Sequence, residues 1–106
     1  MQALGKVFLA LSLLPGTSAG DAAAPPATVR SLCQNCHGED GVAVIPGAAN
    51  LSGQQKEYLV QQLRAYRSGS RTSEQMGIIA KTLTDGDIEG VANWYSAIKV
   101  SVEKPK

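Results

Sequence analysis

At 106 residues the chain has room for one small domain and one core. Ten basic and nine acidic residues leave a formal charge of +1, which excludes nucleic-acid binding driven by bulk charge. One Trp, three Tyr and one Phe make a thin core, and small domains with thin cores need a staple, a metal or a cofactor.

The chain opens "MQALGKVFLALSLLPGTSAG": Lys6, an apolar run from Val7 to Leu14, a Pro15-Gly16 break, then the small residues Thr17, Ser18 and Ala19. This is the pattern of a secretory signal peptide over residues 1–19. A retained anchor is the rival reading, but the apolar run falls well short of the ~20 residues that span a bilayer, so no stable membrane insertion is expected. No cysteine lies near the cut to carry a lipid. The mature chain is therefore expected in the periplasm. It is formally neutral there, because Lys6 is the only charge removed. In that oxidising compartment, two cysteines pair by default.

Residues 20–27, "GDAAAPPA", are small and lack a period, so they read as a flexible leader to a domain over 28–99. Val29, Leu32, Cys33 and Cys36 share one face of a short helix, which Gly38 stops. Residues 38–53 carry four glycines and a proline, the signature of a long ordered loop. Ser52 and Gln55 have capping-box spacing, and Tyr58, Leu59, Gln62, Leu63 and Tyr66 trace an amphipathic stripe up to about Arg67. A second loop, "GSRTSEQMGIIAKTL", follows, with a short helical turn near Ile78 to Lys81. Thr84 and Asp87 repeat the capping pattern, and Ile88, Val91, Ala92, Tyr95 and Ile98 form an apolar face. Residues 100–106 are a polar tail expected to fray. The class is all-α, with three principal helices.

The chemistry concentrates in "LCQNCHGEDG", which places the only two cysteines three apart and the only histidine after the second. Zinc takes about four N or S ligands, and Cys33, Cys36 and His37 are only three. A redox dithiol expects a βαβ context, absent here. A disulfide across two residues closes too small a loop to constrain the chain much. Covalent haem attachment uses every residue: two thiols for thioether bonds and an imidazole for the iron. A large flat macrocycle also supplies the core that the side chains lack.

In the order "CQNCHGEDG", "LSGQQKEYLVQQLRAYRSGSRT", a Met and "LTDGDIEGVANWYSAI", the stretch from Thr28 to Ile98 resembles bacterial class I cytochromes c of the group containing cytochromes c4 and c553. The resemblance implies the class I cytochrome c fold, with three helices and loops wrapped around one haem c bound through Cys33 and Cys36.

An iron held by His37 has a second axial position, whose occupant separates an electron carrier from a catalyst or gas binder. Beyond the signal, Met76 is the only methionine, and no second histidine exists. Met76 falls in the loop between the last two helices, and its neighbours Gln75 and Gly77 make a poor core stripe; filling space in the core is its alternative use. In cytochromes similar to this one, a methionine from that loop is the distal ligand. The similarity also implies a backbone carbonyl accepting from the proximal histidine Nδ1. That carbonyl is Ala49, standing where relatives carry Pro, or nearby Pro46; ordinary turn chemistry is the other account of both. Leu51 is expected to pack on the haem, and Trp94 and Tyr95 on the CxxCH helix or the haem. Arg64, Arg67, Arg71 and Lys56 read as a solvated face, or as partners for a haem propionate or an acidic protein.

The expected role is single-electron transport by Fe(III)/Fe(II) cycling, and the chain is expected not to be an enzyme itself. The donor would be a periplasmic dehydrogenase or a quinol-oxidising complex of a respiratory chain, and the acceptor an oxidase or another cytochrome. A dedicated partner of one periplasmic dehydrogenase is a variant of the same reading. A haem enzyme or gas sensor with a displaceable Met76 is the alternative.

Overall fold

The computed structural model describes residues 3–6, 9–10 and 23–106, so most of the signal segment expected over 1–19 lies outside the described residues. Among the described residues there is no strand, and no helix is long and apolar enough to cross a membrane.

The first helical segment, α1, comprises a π-helical stretch Val29–Cys33 and an α-helical turn Gln34–His37. It starts where Arg30 N–H reaches the Pro26 carbonyl at 3.1 Å, so the leader's last proline already belongs to the fold. It ends at Gly38, whose φ of 74° suits glycine and whose N–H closes on the Gln34 carbonyl at 3.0 Å. Val29 and Cys33 point into the core.

The loop that follows is ordered by its own backbone. Val44 N–H donates to the Cys36 carbonyl at 2.9 Å, and Leu51 N–H to the Gly41 carbonyl at 2.7 Å. The Asn50 side chain accepts from Ala43 N–H at 2.8 Å. Gly41 has a φ of 81°, and a Cβ there would lie 2.8 Å from Ser52 Cα. That close approach explains one departure from expectation: Ser52 is held against Gly41 and caps nothing. Helix α2, Lys56–Ser68, begins after an extended Gln55 that makes no side-chain cap.

Helix α2 ends at Gly69, with a left-handed φ of 84°. Next comes α3, Glu74–Lys81. A loop with one turn near Ile78 was expected here; the helix starts four residues earlier, because Ser73 Oγ accepts from Met76 N–H at 3.2 Å. Helix α4, Asp85–Ala97, opens with the expected box: Asp87 N–H donates to Thr84 Oγ1 at 3.0 Å, and Thr84 N–H to Asp87 Oδ2 at 2.9 Å. The other Asp87 oxygen accepts from Thr28 Oγ1 at 3.2 Å, tying the start of α1 to the start of α4.

Helix α2 packs on α3 and α4. Leu59, Val60 and Leu63 of α2 meet Ile88, Val91, Ala92 and Tyr95 of α4, with Val29 and Cys33 of α1. The apolar face expected on α4 is the one buried. At the start of the tail Val100 lies close to Gly53, where a Cβ would meet its Cγ2 at 2.8 Å.

Candidate haem cleft

Helix α1, the 38–53 loop, α2 and the first turn of α3, with Val91 of α4, line a largely apolar cleft of about 180 Å³. Cys33 and His37 enter it from α1, Ala49, Asn50 and Leu51 from the loop, Tyr58, Leu59, Gln62, Leu63 and Tyr66 from α2, and Met76 from α3. Cys36 is half-buried. Three residues after Cys33, it lies on the same side of the helix.

His37 is oriented by the loop. A carbonyl oxygen can only accept, so the 2.7 Å contact between His37 Nδ1 and the Ala49 carbonyl places the proton on Nδ1. In the neutral ring Nε2 then carries the lone pair, the form in which imidazole binds a metal. Pro46, the other candidate for this carbonyl, is exposed in the turn with Gly47 and does not line the cleft.

Met76 is half-buried at the third position of α3, packed against the core and lining the cleft. It was expected in a loop. On a capped helix its backbone is held more firmly, because Ser73 fixes its N–H.

Two competing uses of the CxxCH segment fit the geometry poorly. Among the described residues, no group of three or more His, Cys, Asp or Glu is placed to hold a metal ion. Redox dithiols work through a lowered thiol pKa, whereas burial pushes the Cys33 thiol up to about 11. Haem suits the cleft instead. The walls are largely apolar, the His37 ring and the Met76 thioether line the same space, and Cys33 lines its α1 side with Cys36 three residues on.

Helix α4 fastens the segment after the motif. Tyr95, fully buried, donates from its hydroxyl to the Gly38 carbonyl at 2.7 Å, and Trp94 Nε1 donates to the Glu39 carbonyl at 2.7 Å. Burial raises the Tyr95 phenol well above its usual range, so it stays a donor. Both residues hold the CxxCH end rather than line the cleft.

The basic residues divide. Lys56 pairs with Glu89 at 3.1 Å, and Arg67 pairs with Asp85 at 2.6 Å. Arg64 is exposed and lies outside the cleft. Arg71 lines it, 4.6 Å over the Tyr66 ring, with Nη1 donating to Gln62 Oε1 at 2.7 Å. The sequence reading placed Gln62 and Tyr66 on the packing stripe and left Arg71 undistinguished. The stripe at i, i+4 and i+8, Tyr58, Gln62 and Tyr66, is the signal for this wall.

No family model matches the chain. It is 39% identical over 82 residues to cytochrome c-554(548) of Halomonas halodenitrificans, covering 74% of this chain and 98% of that protein. It is 34% identical over 104 residues to cytochrome c4 of Pseudomonas aeruginosa, covering 93% of this chain and 51% of the relative. A thiosulfate dehydrogenase electron acceptor of Stutzerimonas stutzeri is 35% identical over 69 residues, 62% of this chain and 32% of that protein. The chain thus spans about half the length of the cytochrome c4 relatives it matches. Among solved structures, cytochrome c4 of Acidithiobacillus ferrooxidans superimposes with a TM-score of 0.58 at 36% identity, over 62% of this chain and 38% of that one.

Proposed function

Because this chain belongs to the class I c-type cytochromes of the cytochrome c4 group, we propose that it carries single electrons between redox proteins and performs no chemistry on a substrate. Haem c, bound through thioethers at Cys33 and Cys36, supplies the Fe(III)/Fe(II) couple. The observation that carries this reading is the convergence of Cys33, His37 and Met76 on one cleft, with His37 Nδ1 committed to the Ala49 carbonyl.

His37 Nε2 and Met76 Sδ would hold the iron when haem is bound. A soft thioether together with an imidazole would favour the reduced state. Leu51, Leu59 and Leu63 exclude water and keep the local dielectric low. The Ala49 carbonyl keeps the imidazole in one tautomer and one orientation.

Residues 1–19 serve as the export signal, and the protein works in the periplasm. Its donor is a dehydrogenase or a quinol-oxidising complex, and its acceptor an oxidase or another cytochrome. Support for a dedicated dehydrogenase partner comes from the relative named as electron acceptor of thiosulfate dehydrogenase.

An optical spectrum of the periplasmically expressed protein, oxidised and reduced, tests the reading. A low-spin c-type spectrum with the weak near-infrared band of methionine-bound ferric iron is expected. A high-spin spectrum without that band, with rapid carbon monoxide binding to the ferrous form, would overturn it in favour of a haem enzyme or gas sensor.

A further inference from the structure

Resting on the electron-carrier reading, we propose that Tyr95 of α4, outside the cleft, is the positioning residue that fixes the His37–Ala49 hydrogen bond and through it tunes the reduction potential. One residue ties both ends of the 38–53 loop. The Tyr95 hydroxyl donates to the carbonyl of Gly38, the residue after His37, at 2.7 Å. The Tyr95 carbonyl accepts from the N–H of Gly53, four residues after Ala49, at 2.9 Å.

Between these two anchors the loop's own backbone completes a ring. Gly41 N–H donates to the Gly38 carbonyl at 3.3 Å, and Leu51 N–H to the Gly41 carbonyl at 2.7 Å. His37 and Ala49, joined at 2.7 Å, both line the cleft beside this ring. Tyr95 is the side of the ring that belongs to α4, and it is fully buried with Ile88 and Ala92 of the same helix. Gly38 is buried as well. Without the hydroxyl its carbonyl keeps only the 3.3 Å bond from Gly41, and an under-satisfied buried acceptor draws its segment toward another donor. That movement begins at the residue bonded to His37. Trp94 adds a second tie to the same segment, from Nε1 to the Glu39 carbonyl at 2.7 Å.

The sign of the effect follows from the ligand. A carbonyl that accepts from Nδ1–H makes the imidazole a more basic ligand. A more basic ligand favours ferric iron and lowers the potential. Lengthening the His37–Ala49 bond therefore raises it. Tyr95 does not line the cleft, so its hydroxyl acts on the potential through His37 and not by direct contact. Ile88, on the same helix and also fully buried outside the cleft lining, is the control for a loss of packing alone.

Redox titration and proton magnetic resonance of the haem-loaded protein, for wild type, Tyr95→Phe, Ile88→Val and Trp94→Phe, are the test. Tyr95→Phe keeps the ring and removes only the hydroxyl. It is expected to raise the midpoint potential, to move the His37 Nδ1–H resonance of the ferrous protein upfield and to speed the exchange of that proton with solvent. Ile88→Val is expected to lower the melting temperature with potential and resonance unchanged. If Tyr95→Phe fails to accumulate with haem, Trp94→Phe carries the test, because it releases the next carbonyl of the same segment and is expected to shift both readouts the same way. Potential and resonance unchanged in that variant, or moved as far by Ile88→Val, overturn the role of Tyr95 alone. A wild-type protein lacking the low-spin spectrum defeats the electron-carrier reading itself.

Discussion

At the scale of single residues, His37 needs only a carbonyl acceptor at Nδ1, which every residue carries. Ala49 supplies it at 2.7 Å, where the resemblance implies a proline. Met76 carries the sharpest prediction at this scale. Met76→Ala should keep covalent haem, lower the reduction potential and admit carbon monoxide to the ferrous iron; an unchanged potential in the redox titration would remove Met76 as ligand. Cys33, Cys36, His37 and Met76 were legible as candidates because each is scarce and their order is diagnostic. Gln62, Tyr66 and Arg71 were not legible as a cluster. Arg71 meets Gln62 across nine residues, and only the turn at Gly69 brings them together.

At the scale of elements, the apolar periods identified α1, α2 and α4, but α3 was underestimated and the Ser52 cap was misplaced. Both errors concern side-chain hydrogen bonds to the backbone. Such a bond decides where a helix starts, but the residue pattern alone does not say which Ser or Thr will make it. Ser73→Ala should therefore cost about 1 kcal/mol of stability by denaturant titration and weaken the near-infrared methionine band, because the turn that presents Met76 loses its cap. The Thr84 box gives a pH prediction. Hydrogen bonds from Thr84 N–H and Oγ1, with a lesser one from Thr28, hold the Asp87 carboxyl below its usual value. The group binds fewer protons folded than unfolded, so its stabilisation is present above an unfolded pKa near ~4 and is lost as pH falls through the lower folded value. Asp87→Asn should leave a shallower fall of stability in acid, measured by thermal melts between pH 2 and 6; an identical profile would rule the carboxylate out as its source.

At the scale of the whole molecule, the core of Val29, Leu59, Leu63, Ile88, Val91 and Tyr95 closes around one side of the cleft, while Leu51 and Met76 only partly cover the other. A domain this small with so open a centre gains much of its burial from the haem. Cys33→Ala with Cys36→Ala should abolish covalent attachment and leave a poorly helical chain by circular dichroism; a double variant with full helicity would refute the haem as part of the core. From the sequence by itself came the all-α class, the covalent haem motif and the family resemblance. Each rests on local spacing or on rare residues in a diagnostic order. Only the tertiary structure decided that Ala49 rather than Pro46 faces His37, that Met76 rides on a capped helix, and that Arg71 alone of the four basic residues reaches the cleft. Those outcomes depend on how the turns at Gly41 and Gly69 fold distant segments together, and a one-dimensional pattern carries no distance across a turn.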